Sequence, residues 1–101
     1  MTKEEIMKRK KEEILKIFNK CIEKRGKEVQ SRQAMEECAE LIQAINKCLR
    51  YPKNNMIQED LIGEIADVLI MIYQLKVMFN ISEEDIAYMI ELKAKREEVR
   101  L

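Results

Sequence analysis

The chain has 101 residues, enough for one small domain and no more. Its nineteen basic and nineteen acidic residues cancel, so the basic excess by which nucleic-acid-binding proteins neutralise phosphates is missing, and no nucleic-acid partner is expected. Histidine is absent, which excludes histidine-based acid–base chemistry, Ser–His and Cys–His nucleophilic sites and the histidine ligands of di-iron helical bundles.

The composition also predicts the fold class and the compartment. Only two glycines and one proline occur among abundant helix-forming residues, which is typical of an all-α domain. Three cysteines without CxxC spacing, together with a charged amino terminus, indicate reduced thiols in a cytoplasmic protein without a signal peptide. The apolar stretch 61–79 carries Glu64, Asp67 and Lys76. We therefore expect a buried helix there and no membrane association.

The first predicted element is an extended amino-terminal helix over residues 1–25. Thr2 is placed to cap this helix, and Glu5 completes a capping box three residues later. Gly26 suits the left-handed residue that ends a helix.

The helices that carry the motifs fall within residues 31–100 of the same single domain, 1–101. The second helix is predicted to begin at Val29 or Ser31 and to end at Leu49, ahead of a break at Pro52, which cannot continue a helix.

The third helix, with Asn55 and Gln58 as its expected cap, is apolar on nearly every side through 61–79. The last helix follows a cap at Ser82, with Asp85 at the capping-box position, and ends near Arg100. Three of its residues are expected to face inward: Ile86, Met89 and Ile90.

These elements predict a four-helix antiparallel bundle-like domain. A helix that is apolar all round needs more cover than three amphipathic partners give in so small a chain. We therefore expect homo-oligomerisation, as a homodimer or a homotetramer built as a dimer of dimers, with Ile65, Leu69 and Ile72 packed across the subunit interface.

Two acidic residues lie inside the apolar third helix. Glu64 and Asp67 are three residues apart, so their side chains share one face of the helix. A carboxylate buried there must be paired or must bind a cation. Taken alone, the pair fits a buried ion pair with Lys or Arg of another helix as well as it fits a metal site.

A second acidic pair changes that balance. Glu37 and Glu40 have the same spacing, and counting outward from the break places Glu40 about 14 Å and Glu64 about 10 Å from the turn at 1.5 Å per residue. The two pairs are therefore expected to face each other across an antiparallel hairpin. Four converging carboxylates repel one another unless cations bind them, and oxygen ligands favour Mg²⁺, with Mn²⁺ as a substitute.

The two motifs resemble those of a known family. E-E-x-x-E at Glu36 to Glu40, followed after residues 41–63 by E-x-x-D at Glu64 to Asp67, is similar to the signature of the MazG-like, all-α nucleoside triphosphate pyrophosphohydrolases. The resemblance covers roughly residues 33–100. It implies that Mg²⁺ is held by the acids of both motifs: Glu37, Glu40, Glu64 and Asp67.

The resemblance further implies hydrolysis of a nucleoside or deoxynucleoside triphosphate between the α- and β-phosphates, giving a monophosphate and pyrophosphate. Glu36 or Glu40 would orient the attacking water. Family members often end with Lys, Asn and Arg that contact phosphate; Lys93 and Arg100 match that pattern, but Glu97 stands where Asn is common.

Three cations near the carboxyl terminus are accordingly candidate substrate ligands: Lys93, Arg96 and Arg100. An ordinary charged helix end accounts for the same residues. Two alternatives to the proposed reaction remain open. One is a non-catalytic helical protein-interaction module, and the other is a related phosphohydrolase acting on a different pyrophosphate-containing metabolite such as a phosphoribosyl nucleotide.

Overall fold

The computed structural model of the protein describes residues 1–7 and 10–101. The fold is all-α, as predicted, with no strand in these two ranges. Within them, no helix combines the length and the hydrophobicity that a bilayer crossing requires. The helices, in chain order, are α1 (Lys3–Met7), α2 (Lys11–Arg25), α3 (Lys27–Arg50), α4 (Asn55–Met78) and α5 (Glu83–Arg100).

The amino-terminal segment begins with the predicted capping box. The Glu5 amide donates to the Thr2 hydroxyl at 3.1 Å, and the Thr2 amide donates to the Glu5 carboxylate at 3.4 Å. The single helix predicted here is instead divided, because Lys10 has extended backbone angles ahead of α2. Helix α1 buries none of its residues, so no packing favours its continuation. Lys8 and Arg9, which the prediction also covered, lie outside the described residues.

Gly26 ends α2, as predicted, and at the same time begins α3. Its backbone angles, φ 89° and ψ 162°, belong to a region that is essentially restricted to glycine. Helix α3 therefore begins at Lys27, earlier than the predicted start at Val29 or Ser31. One residue joins the two helices.

The break around Pro52 separates α3 from α4, as predicted. The cap of α4 is Asn54, whose side-chain oxygen accepts a hydrogen bond from the Ile57 amide at 3.1 Å. The prediction of Asn55 and Gln58 as the cap was one residue late. The short connection makes α3 and α4 an antiparallel hairpin.

Two hydrogen bonds mark the register of this hairpin. Near the turn, the Cys48 thiol donates to the backbone carbonyl oxygen of Ile57 at 3.6 Å. Near the open end of the hairpin, the side-chain amide of Gln30 donates to the side-chain oxygen of Gln74 at 2.7 Å. Helix α2 packs against both α3 and α4. These three helices form the body of the domain.

Helix α5 begins at the predicted cap, where the Asp85 amide donates to the Ser82 hydroxyl at 3.1 Å. In the described part of the chain it makes no extensive contact with another helix. Met89 and Ile90 are 44% and 62% exposed, so the prediction that they face inward was wrong for a single chain. The bundle within one chain has three packed helices.

The apolar core of the single chain is small. Among the described residues, the buried apolar side chains are Ala34, Ala44 and Met71. The prediction that α4 is buried on most of its circumference was therefore wrong for a single chain. The accessible surface is 8910 Å², whereas a compact chain of this size exposes about 6,000 Å². The radius of gyration is 16.5 Å, against about 13 Å for a compact domain of this length. The chain alone leaves much apolar surface in water.

Much of that apolar surface lies on one side of the hairpin. Along α3 and α4, several buried or half-buried residues are directly followed by an exposed apolar residue about 100° further round the helix axis, as in Ala34–Met35, Leu41–Ile42 and Val68–Leu69. Because the two helices run in opposite directions, equal rotations along each chain bring both exposed rows to the same side. We call this surface the hairpin face, and its exposed members are Met35, Cys38, Ile42, Ile45 and Leu49 of α3 and Ile62, Ile65, Leu69 and Ile72 of α4.

Candidate metal centre

Three carboxylates of the two acidic motifs meet across the hairpin. Glu37 and Glu40 project from one face of α3, and Glu64 projects from α4 at the matching level. One oxygen from each of the three lies within 4.8 Å of the others. In octahedral Mg²⁺ coordination neighbouring ligand oxygens lie about 3.0 Å apart and opposite ones about 4.2 Å, since each bond is about 2.1 Å long, so the three side chains would move inward to share one ion.

Two oxygens of this group are buried without a hydrogen-bond partner: Oε2 of Glu37 and Oε2 of Glu64. The other oxygen of Glu37 accepts a hydrogen bond from the Gln33 amide at 2.7 Å. A buried carboxylate oxygen with no donor is costly, and a divalent cation would offset that cost. The residues present therefore fit an oxygen-coordinated cation.

The alternative of a buried ion pair with Lys or Arg does not occur in the described ranges. No basic side chain lies within salt-bridge distance of the acidic cluster there. The ion pairs within those ranges are Arg32 with Glu28, Lys76 with Glu83, and Arg100 with Glu97.

Asp67 lies beside the cluster and not within the group of three. Asp67 is an exposed residue, but partial desolvation raises the pKa of its carboxyl group above the ordinary value of 3.8, and the charge of Glu37 and a hydrogen bond to Glu37 raise it further. The predicted pairing of Glu37 with Asp67 across the hairpin therefore occurs as a contact. The predicted role of Asp67 as a metal ligand stays a prediction.

Asp67→Asn is expected to raise the melting temperature of the metal-free protein near pH 7. The carboxyl pKa is higher in the folded than in the unfolded chain, so the folded state is favoured below pH 3.8 and loses that advantage as the pH rises through the folded-state pKa. The Asn amide keeps a donor for Glu37 without the charge. Thermal melts in EDTA at several pH values between pH 3 and pH 8 measure this, and the melting temperature of the variant is expected to fall less with rising pH than that of the wild type.

A matched variant for that experiment is Glu91→Gln, which neutralises an exposed acid on α5. It should follow the wild-type pH profile. If Asp67→Asn melted below the wild type at pH 7 in EDTA, the proposed repulsion between Asp67 and Glu37 would be contradicted.

The remaining predicted site residues are not brought to the cluster in one chain. Glu36 is exposed and lies outside the group of three carboxylates. Lys93, Arg96 and Arg100 are exposed on α5, which is not packed on the hairpin, and Arg100 pairs with Glu97 at 2.9 Å. Their contact with phosphate stays a prediction.

Two cations that the sequence reasoning missed line cavities that the acids also line. Arg25 of α2 lines a cavity of about 330 Å³ together with Glu37 and Asp67. Lys47 of α3 lines a second cavity, of about 140 Å³, together with Glu40, Glu64 and Asp60. Lys47 follows Glu40 by seven residues, a spacing that places both on one helix face and was available in the sequence. The position of Arg25 depends on how α2 packs, for which no sequence pattern exists.

Comparison with known proteins adds no identification. No protein-family model matches the chain, and no curated protein or solved structure matches it. The function therefore has to be inferred from the carboxylate geometry and from the two acidic motifs.

Proposed function

We propose that the protein is a Mg²⁺-dependent nucleoside or deoxynucleoside triphosphate pyrophosphohydrolase of the MazG-like type, with Mn²⁺ as a possible substitute for Mg²⁺. The proposed reaction adds water across the anhydride between the α- and β-phosphates and yields a nucleoside monophosphate and pyrophosphate. The observation that carries the proposal is the group of Glu37, Glu40 and Glu64, whose oxygens lie within 4.8 Å of one another across two helices.

Two further features support the proposal. The Oε2 atoms of Glu37 and Glu64 are buried without a hydrogen-bond partner, and a bound cation would supply the partner that they lack. The acids come from two i,i+3 pairs on opposite helices, so a rigid hairpin fixes their separation. A surface acidic patch on one flexible segment would have neither property.

The residues divide the chemistry among them. Glu37, Glu40, Glu64 and Asp67 would hold the cation, which when bound neutralises phosphate oxygens and lowers the pKa of water. Glu36 or Glu40 would orient the attacking water and accept its proton, since no histidine is available. Attack of water at the α-phosphorus would break its bond to the bridging oxygen and expel pyrophosphate in line, whereas attack at the β-phosphorus would break the other bond of the same bridge and expel the monophosphate in line.

The negative charge of the substrate phosphates also requires basic side chains nearby to neutralise it. Arg25 and Lys47 line the cavities on either side of the acids and are the candidates within one chain. The α5 candidates, Lys93, Arg96 and Arg100, enter this proposal only through a second copy of the chain, because α5 is not packed on its own hairpin.

A homodimer or a homotetramer is the second part of the proposal. The chain exposes about 2,900 Å² more surface than a compact chain of its size, and a standard stable interface removes about 800 Å² from each partner. The hairpin face, with two exposed apolar rows on one side, supplies a self-complementary surface. Two such hairpins packed face to face would complete a four-helix bundle.

The proposed reaction is tested by incubating the protein with ribo- and deoxyribonucleoside triphosphates in Mg²⁺ and measuring pyrophosphate and orthophosphate separately. We expect pyrophosphate and the corresponding monophosphate in equal amounts from at least one substrate. EDTA should stop the reaction, and Mn²⁺ should restore it.

Orthophosphate as the first product would contradict cleavage between the α- and β-phosphates. Absence of hydrolysis of every triphosphate in the panel, and of a phosphoribosyl nucleotide assayed beside it, would favour the alternative of a non-catalytic interaction module. The exposed hairpin face is the feature that such a module would use to bind another protein.

A further inference from the structure

The cavity next to the acidic cluster has a second polar end. It lies between α2, α3 and α4 and has a volume of about 330 Å³, within the range of small-molecule sites. Glu37 and Asp67 line it at one level, and Gln30 and Gln74 line it at another. Seven residues of α3 separate Glu37 from Gln30, which corresponds to about 10 Å along the helix axis.

Gln30 and Gln74 are the most deeply buried large side chains of the described residues, at 1% and 2% exposed. Apolar residues would normally hold such positions, and many large apolar side chains of this chain are exposed instead. The Gln30 amino group donates to the Gln74 carbonyl oxygen at 2.7 Å. That bond leaves the Gln30 carbonyl oxygen and the Gln74 amino group, an acceptor and a donor on neighbouring residues that both line the cavity.

An aromatic ring completes this end of the cavity. Phe18 of α2 lines the cavity, and its ring lies 6.4 Å from the ring of Tyr73. The Tyr73 hydroxyl donates to the Asn19 side chain at 3.2 Å, which ties α4 to α2 behind the ring. A flat apolar ring beside an amide donor and acceptor is the combination that binds a nucleobase, through stacking and through hydrogen bonds to its edge.

We propose that this cavity is the nucleoside subsite, in which the Gln30–Gln74 pair hydrogen-bonds a base edge that presents a donor next to an acceptor. The inference rests on the proposed function, because it takes the acidic cluster as the phosphate end of the same ligand. The sugar lies between the two ends. Gln30 and Gln74 set base preference, and they act in binding without taking part in the hydrolytic step.

The test measures binding without hydrolysis. Dissociation constants for dAMP, dCMP, dGMP, dTMP and 2-deoxyribose 5-phosphate are determined in Mg²⁺ by calorimetry. At least one nucleotide is expected to bind about tenfold more tightly than the sugar phosphate, since two hydrogen bonds and a stacked ring distinguish them. Equal binding of the sugar phosphate and all four nucleotides would overturn the proposal with the wild-type protein alone.

The matched variant replaces both glutamines, Gln30→Met with Gln74→Met, so that neither amide is left buried without its partner. The preferred nucleotide is expected to lose about tenfold in affinity, and the sugar phosphate to keep its affinity. Gln58→Met, an exposed position, is the control. Unchanged nucleotide preference in the double variant would also overturn the subsite.

Failure of the subsite and failure of the proposed function give different results. Pyrophosphate release without base preference would contradict the nucleoside subsite and support the proposed enzymatic reaction. Base-selective binding of monophosphates without hydrolysis of any triphosphate would contradict the proposed reaction and support a nucleotide-binding cavity.

Discussion

Glu64→Gln is expected to abolish the stabilisation of the protein by Mg²⁺ and to reduce pyrophosphate release by about a hundredfold or more, because even outer-sphere changes at metal sites cost 10- to 100-fold. At a Mg²⁺ concentration a hundred times the dissociation constant, binding to the folded state contributes about 2.7 kcal/mol. For a domain of this size that corresponds to a rise of about 10 °C or more in melting temperature. Thermal melts with and without Mg²⁺ measure the difference directly.

The matched control is Glu59→Gln, which makes the same chemical change at an exposed position of the same helix. It should retain both the Mg²⁺ shift and the activity. A full Mg²⁺ shift in Glu64→Gln would show that the cation binds elsewhere, and the metal centre described above would be wrong. A normal shift in the wild type with no hydrolysis would leave a metal-binding helical protein without the proposed reaction.

Leu69→Lys is expected to convert the proposed homodimer into a destabilised monomer. Leu69 lies in the middle of the α4 row of the hairpin face and is 61% exposed in the single chain. Covering it with a second copy removes a large apolar side chain from water, and truncation of such buried residues costs about 2–5 kcal/mol. An unpaired Lys ammonium at the same place adds a desolvation cost. Sedimentation equilibrium measures the mass, and melting at several protein concentrations measures the linkage to assembly.

Ile6→Lys is the control for this experiment, because Ile6 is 58% exposed and lies on α1, outside both the hairpin face and α5. It should leave the mass and the melting temperature near the wild-type values. A wild-type protein that is a well-folded monomer at micromolar concentration would contradict the homodimer. An unchanged mass in Leu69→Lys would place the subunit interface on another surface.

The helices were readable from the sequence where local chemistry determines them. The capping box at Thr2, the break at Pro52 and the cap at Ser82 depend on residues within one turn of each other, and all three occur as predicted. The predicted burial of α4 and of the inward side of α5 depends on contacts between helices. Exposure of Met89 shows that amphipathic spacing identifies an apolar side but does not identify what covers it.

The carboxylate placement was also predictable, since two i,i+3 pairs at similar distances from one tight connection must come level in an antiparallel hairpin. Counting residues could not separate Asp67, which lies beside the group, from Glu64, which lies within it. Arg25 was missed because its position depends on how α2 crosses the hairpin. The Gln30–Gln74 pair lies within the hairpin, so its level could be counted from the turn like that of the acids, but its burial could not. A glutamine in a helical stripe carries no sequence signal of burial.

Gly26 is the single residue that joins α2 to the α3–α4 hairpin. Its positive φ of 89° is conformationally demanding, although an added Cβ would meet no atom within 4 Å. Phe18 and Arg25 precede this joint, whereas every acid of the candidate metal centre follows it. The spacing of the carboxylates is therefore set within the α3–α4 hairpin alone, whereas the placement of the α2 wall of the cavity also depends on the backbone angles of this one glycine.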